Sequence, residues 1–60
     1  MDTIYLANGC SGNRVLVELE GDYDVKVVDC RGRVQSQGRQ TFSGITVLPI
    51  PSGGLAVLKK

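Results

Sequence analysis

The sequence predicts an all-β protein, a compact six-stranded antiparallel β-sandwich or barrel formed as one domain over residues 1–60. Three observations predict it. Eight glycines, at 9, 12, 21, 32, 38, 44, 53 and 54, punctuate the chain too closely for helices of about 11–12 residues. Between them the apolar residues alternate with period two, as in strands with one buried face. The alternating residues are largely valine and isoleucine, which suit a pleated surface.

Each element follows from its own residues. Ile4 and Leu6 mark a first strand near 2–8, followed by the loop Asn8-Gly9-Cys10-Ser11-Gly12-Asn13. Val15, Val17 and Leu19 mark a second strand at 13–20; Tyr23, Val25 and Val27 mark a third at 23–29. Gly21-Asp22 between them suits a two-residue hairpin, because glycine accepts positive φ and aspartate tolerates it. Asp29-Cys30-Arg31-Gly32 predicts a turn whose aspartate bonds the backbone ahead. Strands follow at 33–38, at 44–49 through Ile45 and Val47, and at 54–59 through Leu55 and Val57. Pro49 and Pro51 cannot donate to a central ladder, so the segment between the last two strands must leave the sheet.

Some strands carry apolar residues on the second face as well: Leu16, Val28, Leu48, Ala56 and Leu58. A sheet with one solvated face keeps such positions polar. Either the sheet closes over itself or a partner covers it. Leu16, Val28 and Leu48 are therefore the candidate contact residues.

Composition narrows the chemistry. Sixty residues bury only about 60% of the unfolded surface, which leaves room for a thin core and none for an enclosed active site. Seven basic against six acidic residues give a net charge of +1, so no overall field gathers nucleic acid or an anionic membrane. The chain contains no histidine, so Cys10 beside Ser11 has no evident base to make a nucleophile. Two cysteines alone do not make an ordinary zinc site. No enzyme activity, cofactor or metal is expected. Glu20, Asp22 and Asp24 read as solvated turn charges in preference to a calcium loop, which needs six to eight converging oxygens. Glu18 and Glu20 lack the cleft that a glycosidase carboxylate pair flanks.

Two further groupings carry hypotheses. With strands alternating in direction, the Cys10 loop and the Cys30 turn fall at one end of the sheet. A Cys10–Cys30 disulfide is topologically open there, beside the alternative of two reduced thiols. Arg14, Arg31 and Arg33 gather at the same end as a candidate anion-binding patch. Single-strand binding needs aromatic platforms as well, and the chain has only Tyr5, Tyr23 and Phe42. Nucleic acid is thus the lesser expectation. The acidic amino terminus and the lack of a long apolar run predict neither a signal peptide nor a membrane span. The chain as written reads as cytoplasmic, or as extracellular if excised from a secreted parent.

The stretches Tyr23-Asp24-Val25-Lys26-Val27-Val28-Asp29, Arg31-Gly32-Arg33-Val34, Phe42-Ser43-Gly44-Ile45-Thr46-Val47 and Pro51-Ser52-Gly53-Gly54-Leu55-Ala56-Val57-Leu58 together resemble the small β-sandwich domain that closes many bacterial glycoside hydrolases. Tyr5-Leu6-Ala7-Asn8 is similar to the first strand of such domains. The Val25 to Val57 portion also resembles the carboxyl-terminal sorting domains of secreted bacterial proteins. The first resemblance implies an accessory role in packing, folding or oligomerisation, with no catalytic residue to carry over. Together these readings predict a non-catalytic module that acts by protein contact, as a homo-oligomer or against a parent or partner domain. The alternative is a small anion- or nucleic-acid-binding module using Arg14, Arg31 and Arg33.

Overall fold

The computed structural model describes residues 3–9 and 12–60. Its strands are β1 (Thr3–Ala7), β2 (Val15–Val28), β3 (Val34–Leu48) and β4 (Leu55–Lys59). All pair antiparallel in a single sheet of order β1-β4-β2-β3. The all-β class stands, but four strands replace the expected six. The segments 13–20 and 23–29 are two halves of β2, and 33–38 and 44–49 are two halves of β3.

The chain does not reverse at Gly21-Asp22. The ladder runs straight through, with Gly21 opposite Phe42 and Asp22 opposite Thr41. Gly21 instead bends the strand, at φ +112°, and Gly44 does the same on β3 at φ +119°. Leu19 pairs with Gly44 and Gly21 with Phe42, so both strands bend within two rungs of each other. Residues with a side chain rarely adopt this conformation. The result is one long hairpin with two arms. The first arm pairs Val15–Glu20 with Ser43–Leu48, and the second pairs Asp22–Val28 with Val34–Thr41.

Only the second arm is widened, by β4 on Asp24–Val28 and then by β1 on β4. β1 comes close to β4 alone among the strands, so the outer edges do not meet in a barrel. Nor does a separate second sheet exist among the described residues. A single bent sheet replaces the sandwich or barrel.

Both arms turn their inner faces to one core. Val17, Tyr23, Val25 and Val27 come from β2, Phe42 and Leu48 from β3, and Ala56 and Leu58 from β4, with Ile50 beyond β3. Ile4, Leu6, Val15 and Leu19 pack against them. Phe42 lies opposite Gly21 in register and meets Tyr23 edge to face, centroids 5.7 Å apart at 82°. Lys60 Nζ lies 5.5 Å from the centroid of the Tyr23 ring, within cation–π range.

Two strands lie in the opposite phase to the one expected. Ile45, Val47, Leu55 and Val57 belong to the outer face, while Leu48, Ala56 and Leu58 are buried. Pairing with β2 decides this, because directly paired residues share a face. Leu48 sits opposite Val15, Ala56 opposite Val27, and Leu58 opposite Val25.

The turn between β2 and β3 forms as expected. Gly32 N donates to Asp29 O at 3.0 Å, and Asp29 Oδ1 accepts from Arg31 N at 2.8 Å and Arg33 N at 2.9 Å. The register shifts beside Val27 and Val28, leaving Gln35 outside the ladder. Its Nε2 donates to Asp29 Oδ2 at 3.1 Å.

β3 ends before Pro49, also as expected. The loop that follows is clamped by Asn8, the buried polar residue of the described chain. Its Nδ2 donates to Ile50 O at 2.6 Å and Gly12 O at 3.1 Å, while its backbone N–H donates to Gly54 O at 3.0 Å. Gly54 leaves no room for a side chain, since a Cβ there would lie 2.5 Å from Val28 O. Asn8→Ala strands two carbonyls that its amide now satisfies. It is expected to lower stability by about 1–3 kcal/mol, read as a shift in the urea midpoint with no change in slope; an unchanged midpoint would sink the clamp.

Candidate functional site

The structure separates Leu16, Val28 and Leu48, the candidate contact residues. Leu16 lies on the outer face of the first arm and is 69% exposed. Val28 shares that side of β2 but sits half-buried at its other end. Leu48 is 2% exposed, in the core, and leaves the set of contact candidates. In its place the ladder sets Val47 directly opposite Leu16 and Ile45 opposite Glu18. Ile45 is 73% exposed and Val47 49%. Diagonal neighbours on one sheet face stand about 7–8 Å apart or less, so Leu16, Ile45 and Val47 form a continuous apolar patch.

Arg14, Arg31 and Arg33 are all exposed. Arg14 precedes β2, whereas Arg31 lies within the turn after it and Arg33 just beyond that turn. The bend folds these regions toward each other, because Asn13, Gln35, Ser36, Pro49 and Pro51 line one shallow groove of about 340 Å³. None of the three arginines lines it, and no aromatic side chain does.

Cys30 is exposed in the turn, where its Cβ would stand 3.1 Å from a Cβ added at Gly53. Gly53 N donates to Gly9 O at 2.9 Å. Cys10 lies outside the described residues, and with it the Cys10–Cys30 pairing that the sequence leaves open.

A site that sequence reasoning did not assemble lies on the outer face of the second arm. Register places Lys59, Asp24 and Arg39 along one rung, and Tyr5, Val57, Lys26 and Gln37 along the adjacent outward-facing one. These seven residues, with Val25 and Gly38, line an open groove of about 630 Å³. Arg39 Nη1 donates to Asp24 Oδ1 at 3.1 Å. Tyr5, on the edge strand, is 67% exposed.

No protein-family model, curated protein or solved structure matches the chain. Functional reading therefore rests on these two surfaces.

They differ in kind. The first-arm patch is apolar, bordered by Glu18 and Glu20 on the same face. The second-arm groove brings three cations around one carboxylate beside an exposed ring. Asp22, between them, accepts from Thr41 Oγ1 at 2.6 Å, which holds its carboxylate over its own sheet. The four acids of β2, Glu18, Glu20, Asp22 and Asp24, thus form an outward row within one strand, where the sequence placed Glu20, Asp22 and Asp24 at a turn. Among the described residues no cluster of three His, Cys, Asp or Glu side chains could hold a metal ion, and no helix is long and apolar enough to cross a membrane.

The missed signal was available in part. Lys26, Arg39 and Lys59 are far apart in sequence, and only the register of β4 on β2 brings them together. Their common feature is parity: each is the outward residue of its strand.

Proposed function

We propose that this chain is a non-catalytic β module that acts by protein contact and self-associates through the outer face of its first arm. The observation that carries the reading is the patch of Leu16, Ile45 and Val47, three large apolar side chains adjacent in register and exposed. Single exposed apolar residues need no explanation, whereas a contiguous group marks a contact surface. Fully burying one such side chain is worth about 1.5–3 kcal/mol.

The surroundings of the patch support a second copy as the occupant. β4 covers β2 only from Asp24 to Val28, so no described strand pairs with the other edge of β2 between Val15 and Glu20. A two-stranded ribbon is marginal alone and gains from further strands. Packing of this outer face on its two-fold copy covers the two-stranded ribbon and buries both patches, a closed arrangement of the kind homodimers favour. The resemblance to accessory β domains agrees with a role in packing or oligomerisation.

Sedimentation velocity at high micromolar concentration is expected to show a dimer. Leu16→Glu combined with Ile45→Glu is expected to return the monomer with an unchanged circular dichroism spectrum, since both side chains are exposed. A wild-type chain that stays monomeric throughout overturns self-association. A dimer indifferent to both substitutions overturns the patch as its interface.

A further inference from the structure

The second-arm groove has no part in that contact, yet it concentrates charge in a way the chain as a whole does not. Lys26, Arg39 and Lys59 surround Asp24 on two adjacent rungs, a local balance of three positive against one negative in a chain of net charge +1. Arg39 is committed to Asp24. That pairing offsets the one carboxylate of the groove and leaves the two ammonium groups, Lys26 and Lys59, without an ion pair among the described residues. They are diagonal neighbours, because Lys59 pairs with Asp24 and Lys26 with Val57.

Beside them stands an aromatic ring without a structural duty. Tyr23 and Phe42 are buried in the core, whereas Tyr5 is mostly exposed. Tyr5, Val57, Lys26 and Gln37 form one rung across all four strands. At about 4.8 Å per strand spacing, the ring and Lys26 spring from backbones about 10 Å apart, with half-buried Val57 as an apolar floor between them. An extended lysine reaches back over part of that gap. Gln37 ends the rung with an amide that both donates and accepts.

We infer that this groove binds a nucleoside phosphate, either free or as one unit of a single strand, with the base against Tyr5 and Val57 and the phosphate between Lys26 and Lys59. A flat apolar ring next to a fixed anion is the chemistry that an exposed aromatic beside paired ammonium groups recognises. The groove lies within the roughly 300–1,000 Å³ range of small-molecule sites. It is open, so a strand can cross it. Asp22, one rung beyond Asp24 on the same face, accepts from Thr41 Oγ1, and Glu18 and Glu20 lie farther along the row, past Gly21. The groove at the arginine end is lined by neither a cation nor an aromatic ring, which favours binding here instead.

The test uses fluorescence anisotropy of a labelled oligothymidylate, with adenosine monophosphate and inorganic phosphate as competitors, at low salt. Saturable binding is expected, with a log–log salt slope of about −0.7 for one phosphate neutralised on a single strand. Tyr5→Leu is expected to weaken it about tenfold, the loss of one stacked base. Lys26→Glu with Lys59→Glu is expected to abolish it, while Arg31→Glu with Arg33→Glu leaves it within about twofold. Adenosine monophosphate as effective as the oligomer identifies the free nucleotide as the ligand; a much weaker competing monophosphate identifies the strand. Absence of saturable binding, inorganic phosphate competing as well as the nucleotide, or indifference to Tyr5→Leu each overturns the proposal. The Leu16→Glu, Ile45→Glu variant is expected to bind unchanged, so failure here and failure of self-association are separate results.

Discussion

Leu48→Asp is expected to unfold the chain and not merely to release a partner. Leu48 closes the first arm opposite Val15 and lies in the core with Ile50 and Phe42. Truncating a buried leucine to alanine alone costs about 2–5 kcal/mol. A carboxylate at this position adds the penalty of a buried charge without a partner. A 60-residue domain of ordinary stability has only about 3–9 kcal/mol to lose. Circular dichroism of the variant is expected to lose its β signature at neutral pH, whereas Leu16→Asp, on the outer face of the next residue, keeps it. A folded Leu48→Asp variant that dissociates cleanly from a wild-type oligomer would restore Leu48 to the contact surface and refute the phase of β3.

Phe42→Ala is expected to be the most damaging truncation that keeps the core apolar, at about 3–5 kcal/mol. Phe42 is 2% exposed and is the largest fully buried side chain. It also stands at the bend, opposite a residue with no side chain to fill the space it would vacate. Its edge-to-face contact with Tyr23 is lost as well, worth about 0.5–1.5 kcal/mol beyond burial where such pairs have been dissected. Denaturant unfolding should show the midpoint falling by half or more with the slope retained. A loss below about 1 kcal/mol would mean that the hairpin does not bend around this ring.

Much of the fold was legible in the residues, and the two misreadings share one cause. Asp29 and Gly32 announced their turn, and the two prolines announced the end of β3. Gly21-Asp22 announced a hairpin with equally good local chemistry, but parity argues against it. In a two-residue hairpin Glu20 and Tyr23 sit opposite each other on one face, which throws Leu19 in with Asp24 and Val17 with Lys26. A continuous strand keeps Val17, Leu19, Tyr23 and Val25 on one side, as observed. Local turn propensity carries no information about which face a turn leaves buried.

The strands at 44–49 and 54–59 misled for a related reason. Ile45 and Val47 alternate cleanly, so they read as a core face, yet Leu48 and its pairing with Val15 override them. Leu55 to Leu58 is apolar on both faces and states no preference of its own. For such segments the phase belongs to the neighbouring strand. The candidate sites inherit this: the apolar patch is what the inverted phase of β3 exposes. The basic groove depends on β4 lying beside β2, and strand order is a property that alternation does not encode.

The pairing of β1 with β4 bears on how the molecule carries load. Thr3 lies opposite Lys59, and Ala7 opposite Leu55, so the first residue of β1 and the last of β4 stand side by side at one end of an antiparallel pair. Tension applied through Thr3 and Lys59 pulls across the strands, along the direction of the inter-strand bonds. It opens the rungs one after another, from Thr3 toward Ala7, and never loads them together in shear. Such a zipper yields at low force and leaves the long β2–β3 hairpin intact when β1 and β4 part. Under strain the module has a weak seam and a strong remainder, and the seam is also where Tyr5 and Lys59 meet.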